Sequence, residues 1–108
     1  MTAQSQESDL SADSSKAQQQ ARLTYHYLGR VQGVGFRATV HEIAQRFAVH
    51  GWVKNCEDGS VECVVEGQRE EIQAFDEAIR EARSRHVHDV RVNTGMWVGD
   101  LSGFKIRY

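Results

Sequence analysis

Two hydrophobic rhythms alternate along the chain. From residue 22 to 31 (RLTYHYLGRV), Leu23, Tyr25 and Tyr27 alternate with Thr24, His26 and Leu28. A period of two places the first set on one face of a strand. From Phe36 the period lengthens. Phe36, Val40, Ile43, Ala44 and Phe47 recur at helical spacing, while Arg37, His41, Glu42, Gln45 and Arg46 fall off that stripe. The spacing predicts a helix that Gly51 closes. Two β-rich runs follow, roughly 52–57 and 60–66, around Asp58-Gly59. Both turn residues tolerate positive φ, so the pair predicts a tight hairpin. With Asp58-Gly59 central, Cys56 faces Val61 and Lys54 faces Cys63. Residues 68–86 (QREEIQAFDEAIREARSRH) predict a second helix, with Ile72, Phe75, Ala78, Ile79 and Ala82 as its stripe. Glu70 and Glu71 at its start and Arg80, Arg83 and Arg85 at its end suit the helix dipole. Residues 86–98 read as another strand, Asp100 to Gly103 as a turn, and Phe104 to Tyr108 as a short last strand.

The order is β, α, β, β, α, β with a short final strand. The hairpin makes the middle strands antiparallel, and the helices need a common apolar surface to cover. This predicts the α+β class: a ferredoxin-like α/β sandwich, an antiparallel sheet with two helices on one face. The expected folded unit is residues 22–108. Residues 1–21 are rich in Gln, Ser, Ala and Asp, with only Met1 and Leu10 large and apolar. Such a segment cannot bury enough surface to offset its chain entropy, so a disordered polar tail is expected. It has neither the basic start nor the apolar centre of a secretion signal. No apolar run is long enough to span a bilayer. The expectation is a cytoplasmic protein with no membrane partner. No large apolar stripe is left once the two helices pack, which predicts a monomer.

Charge narrows the partners. Of 15 acids and 13 bases in the chain, Glu7, Asp9, Asp13 and Lys16 lie in the tail. The rest therefore carries 12 of each, 15 less three and 13 less one. A neutral fold gives no support for a nucleic-acid partner held by bulk charge. The two cysteines, Cys56 and Cys63, form no CxxC, and the five histidines form no HExxH. The expectation is two reduced thiols, no metal and no cofactor.

The chemistry points elsewhere, to the predicted strand–helix junction. Gly33-Val34-Gly35-Phe36-Arg37-Ala38 fits G-x-G-x-x-G/A, and Asp58 lies about 20 residues on. That fingerprint needs a parallel βαβ unit in a doubly wound sheet. Here the second strand turns straight back through a hairpin, which argues against a dinucleotide. The physics of the turn survives. Small residues leading into a helix expose N–H groups pointing one way, and the dipole adds positive potential. Arg37 sits in the first helical turn, where acids are preferred. The pattern alone leaves two readings open: an anion cradle with Arg37 as its clamp, or a tight turn with Arg37 in solvent. Asn55, beside a hairpin turn, reads by pattern alone more readily as a solvated turn residue than as a site residue, because asparagine is common there.

Two stretches then become informative together. "GRVQGVGFR" and "GWVKNCEDGSVE" resemble the two signatures of the acylphosphatase family, and the ending "GFKIRY" is similar to that family's usual ending. The likeness covers residues 22–108. The resemblance implies a ferredoxin-like sandwich that hydrolyses the carboxyl–phosphate bond of small acyl phosphates without a metal. Carried over position by position, the phosphate loop falls on the backbone amides of Gln32, Gly33, Val34, Gly35, Phe36 and Arg37. The essential arginine falls on Arg37 and the water-positioning asparagine on Asn55. The segment "AVHGWV" departs from the family, which often has a further glycine there, and the polar tail is extra. The alternative expectation is a non-catalytic module of the same fold that binds phosphate or a phosphorylated metabolite.

Overall fold

The computed structural model describes residues 20–108. In chain order the elements are β1 (Gln20–Gly29), α1 (Phe36–Ala44), β2 (Val49–Asn55), β3 (Val61–Gln68), α2 (Arg69–Ala82), β4 (Val87–Gly95) and β5 (Phe104–Arg107). One five-stranded sheet runs β4-β1-β3-β2-β5. β1 pairs antiparallel with β3 and β4, and β2 antiparallel with β3. β5 adds to β2 in parallel, so the sheet is mixed at one edge rather than wholly antiparallel. The ferredoxin-like α+β fold follows directly. β1 starts at Gln20, so Gln20 and Ala21 are strand residues and not tail, and Ala21 is buried. The rest of the expected tail lies outside the described residues.

Period-two alternation decides which face is covered. Leu23, Tyr25 and Tyr27 of β1, Val53 of β2, and Val61, Cys63 and Val65 of β3 are buried beneath the helices. α1 closes over them with Phe36, Val40 and Ile43, and α2 with Ile72, Phe75 and Ile79. Each such side chain contributes roughly 1.5–3 kcal/mol when fully buried. The other face carries Thr24, His26, Glu62 and Lys54 between its strands.

Three local expectations need correction. α1 ends at Ala44, well before Gly51. The N–H groups of Gln45, Arg46 and Phe47 bond to carbonyls three residues back, and Ala48 N–H donates to Glu71 Oε1 (2.8 Å). A tighter last turn and a tertiary acceptor stop the helix, not a glycine. Phe47 still enters the core, edge-on to Phe75. Gly51 lies inside β2, where a Cβ would meet the Val64 carbonyl oxygen at 2.0 Å. The hairpin register also differs by one residue: Asn55 faces Val61 and Val53 faces Cys63. The turn holds Glu57, Asp58 and Gly59, with Gly59 at φ +91° and Gly59 N–H bonded to the Cys56 carbonyl. A three-residue loop with a left-handed third residue replaces the two-residue one. Ser60 donates its N–H (3.0 Å) and hydroxyl (2.6 Å) to Asp58 Oδ1. Those two bonds hold the Asp58 carboxyl below the usual carboxylate range. α2 ends at Ala82, and residues 83–86 turn away from it.

Candidate active site

The β1–α1 connection is tied down from three sides. Arg30 N–H donates to the His86 carbonyl (2.9 Å). Gln32 Nε2 donates to the carbonyls of Cys56 (2.7 Å) and Ser60 (2.9 Å), fastening the loop to the β2–β3 turn. Arg83, the first residue past α2, donates from Nη2 to the Val34 carbonyl (2.9 Å) and to Thr39 Oγ1 (2.8 Å). The loop is thus placed by groups remote in sequence, the carbonyls of His86, Cys56 and Ser60 and the Arg83 side chain, which pre-organises whatever it presents.

It presents backbone amides. Gly33 and Gly35 have φ of +75° and +74°, the left-handed region that glycine adopts without strain. Gly35 caps α1, and among the described residues no side chain caps that end. The first helical bond is Thr39 N–H to the Gly35 carbonyl (3.1 Å). The amides of Phe36, Arg37 and Ala38 therefore lack helical partners and point out of the helix start. The first turn contains no acid, so the positive potential there is not cancelled.

Arg37 rises beside these amides. Its guanidinium lies 4.7 Å from the centre of the Tyr108 ring, and Nη1 donates to the Arg107 carbonyl (3.0 Å). Among the described residues one of its five donors is used, and the ring attracts the cation. Across from it stands Asn55, the last residue of β2. Strand alternation aims it to the helix side of the sheet, like Val53 two residues before. Its Oδ1 is buried and accepts no hydrogen bond among the described residues. A buried acceptor left unpaired costs about 1–3 kcal/mol. A cavity of about 190 Å³ lies between these groups, lined by Gly33, Gly35, Phe36, Arg37, Asn55 and Tyr108 among others. It is smaller than the roughly 300–1,000 Å³ of pockets for drug-sized ligands. It suits a compact anion and not a dinucleotide.

Of the residues singled out in the sequence, Gly33, Gly35, Phe36, Arg37 and Asn55 share this cavity. Gln32 and Val34 do not line it. The Gln32 side chain is spent on the hairpin, and Val34 packs against the core with its carbonyl on Arg83. Arg83 and Tyr108 were not singled out. Arg83 carried only a helix-dipole signal, and Tyr108 only its place in the ending GFKIRY.

The family model named Acylphosphatase matches residues 23–106, from β1 into β5. The chain belongs to the acylphosphatase family. It is 42% identical over 81 residues to the acylphosphatase of Anaeromyxobacter sp. strain Fw109-5, covering 74% of this chain and 87% of that protein. It is 41% identical over 90 residues to the acylphosphatase of Pseudomonas paraeruginosa, covering 81% and 98%. Its fold is similar to the crystal structure of the acylphosphatase from Bacillus subtilis, with a TM-score of 0.75 and 36% identity over 82% of this chain and 99% of that one. Within this acylphosphatase fold, the glycine turn, the Arg37 guanidinium and the Asn55 carboxamide border one small cavity. Such a set can bind a tetrahedral anion and orient a neutral nucleophile beside it. Among the described residues, no helix is long and apolar enough to cross a membrane.

Proposed function

We propose that the cavity holds the phosphoryl group of a small acyl phosphate, which this acylphosphatase hydrolyses to carboxylate and inorganic phosphate. An acyl phosphate is already activated: its leaving group is a carboxylate, a weak base that needs no general acid. The work left to the protein is to hold the phosphoryl oxygens, stabilise charge on them, and set a water in line. Of the loop from Gln32 to Arg37, the residues that line the cavity, Gly33, Gly35, Phe36 and Arg37, supply the amide donors. Arg37 adds a planar charged fork that matches phosphate geometry.

The observation that carries the reading is the Asn55 side chain. Asn55 lines the cavity that Arg37 also lines, and its Oδ1 is buried and accepts no hydrogen bond among the described residues. A carboxamide cannot act as a base at neutral pH. Its oxygen can accept a hydrogen bond from water, and its NH₂ can donate to a phosphoryl oxygen. An anion-binding module has no use for such an acceptor, since it repels the anion. A hydrolase uses it to point the water at phosphorus.

The test is benzoyl phosphate hydrolysis by the purified chain in excess EDTA, with Asn55→Ala beside it. The parent should turn over rapidly. The variant should lose roughly 100-fold in kcat, the scale of a misplaced reactant, while competitive inhibition by inorganic phosphate is kept. Equal rates would remove the water-positioning role. A folded parent that binds phosphate but does not hydrolyse would favour the binding-module alternative.

A further inference from the structure

On the face of the sheet away from the helices, three side chains bring metal-binding atoms together. His26 comes from β1, Glu62 from β3, and Cys56 from the turn between β2 and β3. His26 and Glu62 face each other directly in the strand register, with Nε2 3.3 Å from Oε2. The Cys56 thiol completes the group. One ligand atom from each residue lies within 4.8 Å of the other two, and all three residues are half-buried. Both cysteines are free, and Cys63 is sealed beneath the helices.

We propose that His26, Cys56 and Glu62 form a binding site for a zinc-class divalent cation. The donor set is one imidazole nitrogen, one sulfur and one carboxylate oxygen. That mixture suits Zn²⁺ and its cobalt substitute, whereas Mg²⁺ and Ca²⁺ want oxygen alone. The geometry is near what such an ion needs. Tetrahedral angles and zinc bond lengths of about 2.0–2.3 Å give an N···O edge of about 3.4 Å and sulfur edges of about 3.6 Å. The His26–Glu62 pair already stands at 3.3 Å. The sulfur has at most about 1.2 Å to close from the 4.8 Å limit, a small adjustment for a turn residue. On binding, the Cys56 proton leaves to solvent, and the thiolate and the Glu62 carboxylate neutralise the ion.

A simpler role for His26 and Glu62 is a cross-strand pair worth about 0–1 kcal/mol. That role has no place for the thiol, so Cys56 discriminates. Asn55 precedes Cys56 directly, and the Cys56 carbonyl accepts from Gln32. The metal is therefore read by spectroscopy and not by activity, which keeps this test separate from that of hydrolysis. The untagged full chain, reduced and stripped with EDTA, is desalted and titrated with Co²⁺. The expected result is thiolate-to-cobalt charge-transfer absorption and tetrahedral d–d bands that saturate at one Co²⁺ per chain and vanish on adding Zn²⁺. Cys56→Ser should abolish the charge-transfer band. His26→Gln and Glu62→Gln should weaken binding by at least about 10-fold, the lower end of what losing even an outer-shell partner costs. Circular dichroism checks each fold, and alkylation of Cys56 in the folded parent gives the same block without mutation. The proposal is overturned if the parent shows no charge-transfer band. It is equally overturned if that band survives Cys56→Ser, or if both glutamine variants bind Co²⁺ like the parent.

Discussion

Arg37 shows how much one side chain's role depends on shape as well as charge. Its guanidinium is held by the Tyr108 ring and the Arg107 carbonyl, which leaves a fork of donors beside the loop amides. Lysine would keep the charge and lose the fork. Arg37→Lys should lower kcat/KM for benzoyl phosphate by about 100- to 1,000-fold, the scale of removing one pre-organised donor to transition-state charge. A loss within about threefold would mean that charge alone suffices. At this scale the sequence was informative where a motif carried the residue. Arg37 and Asn55 were legible because "GVGFR" and "WVKN" fix both identity and position. Arg83 was not, since a basic residue at a helix end has an ordinary explanation in the dipole. The thiols divide as well. Burial, followed by the charges of Asp76 and Glu62, pushes the Cys63 thiol far up, so it stays protonated and inert.

Among the elements, α2 is the one that connects core and site. Tyr27 of β1 donates its hydroxyl to Asp76 Oδ1 at 2.7 Å, and Arg80 one turn on pairs with Asp76 Oδ2 at 2.9 Å. Burial, then Cys63 and Asp76, pushes the Tyr27 phenol well above its ordinary range, so it remains a donor. Tyr27→Phe leaves a buried carboxylate oxygen without its partner and should cost about 1.5–3 kcal/mol in urea unfolding. The far end of the same helix hands Arg83 to the loop. Arg83→Ala frees the Val34 carbonyl and Thr39 hydroxyl. It should lower kcat/KM by roughly 10- to 100-fold through a misplaced loop. A merely structural role would instead lower the melting temperature and leave turnover per folded molecule unchanged. Element types were legible from periodicity, but their ends were not. α1 stops where Glu71 of another helix takes the Ala48 N–H, a contact that no local pattern encodes.

In the whole molecule, one carboxylate ties the segment after β4 to the sheet's outer face. Glu66 of β3 is 3% exposed. It accepts from Arg22 Nη1 (3.0 Å), from Val98 N–H (2.8 Å) and from Gly99 N–H (3.0 Å). These bonds pin the β4–β5 connection, which delivers β5 to β2 and Tyr108 to the cavity. Burial pulls the Glu66 carboxyl upward. The Val98 N–H, the Arg22 guanidinium and the Gly99 N–H outweigh it and hold the group below the usual carboxylate range. A depressed folded value means the stabilisation is fully present above the unfolded value, about 4.3, and is lost as pH falls through the folded one. Glu66→Gln should therefore melt lower than the parent at pH 7, with the gap narrowing below about pH 4. A gap that stayed constant down to pH 2 would mean that Glu66 acts through shape alone.

The sequence by itself determined the element types, the two helical stripes, the acylphosphatase resemblance, and the loop with its arginine and asparagine. Those are local properties: side-chain period, turn chemistry and motif identity are written in neighbouring residues. Only the tertiary structure decided the strand order, the parallel pairing of β5, the one-residue hairpin shift, and the convergence of Arg83 and Tyr108 on the loop. It also brought His26, Cys56 and Glu62 together from β1, the hairpin turn and β3. Each of these depends on which distant backbones pair and in what register, and pairing is set by the packing of the whole core rather than by any one segment.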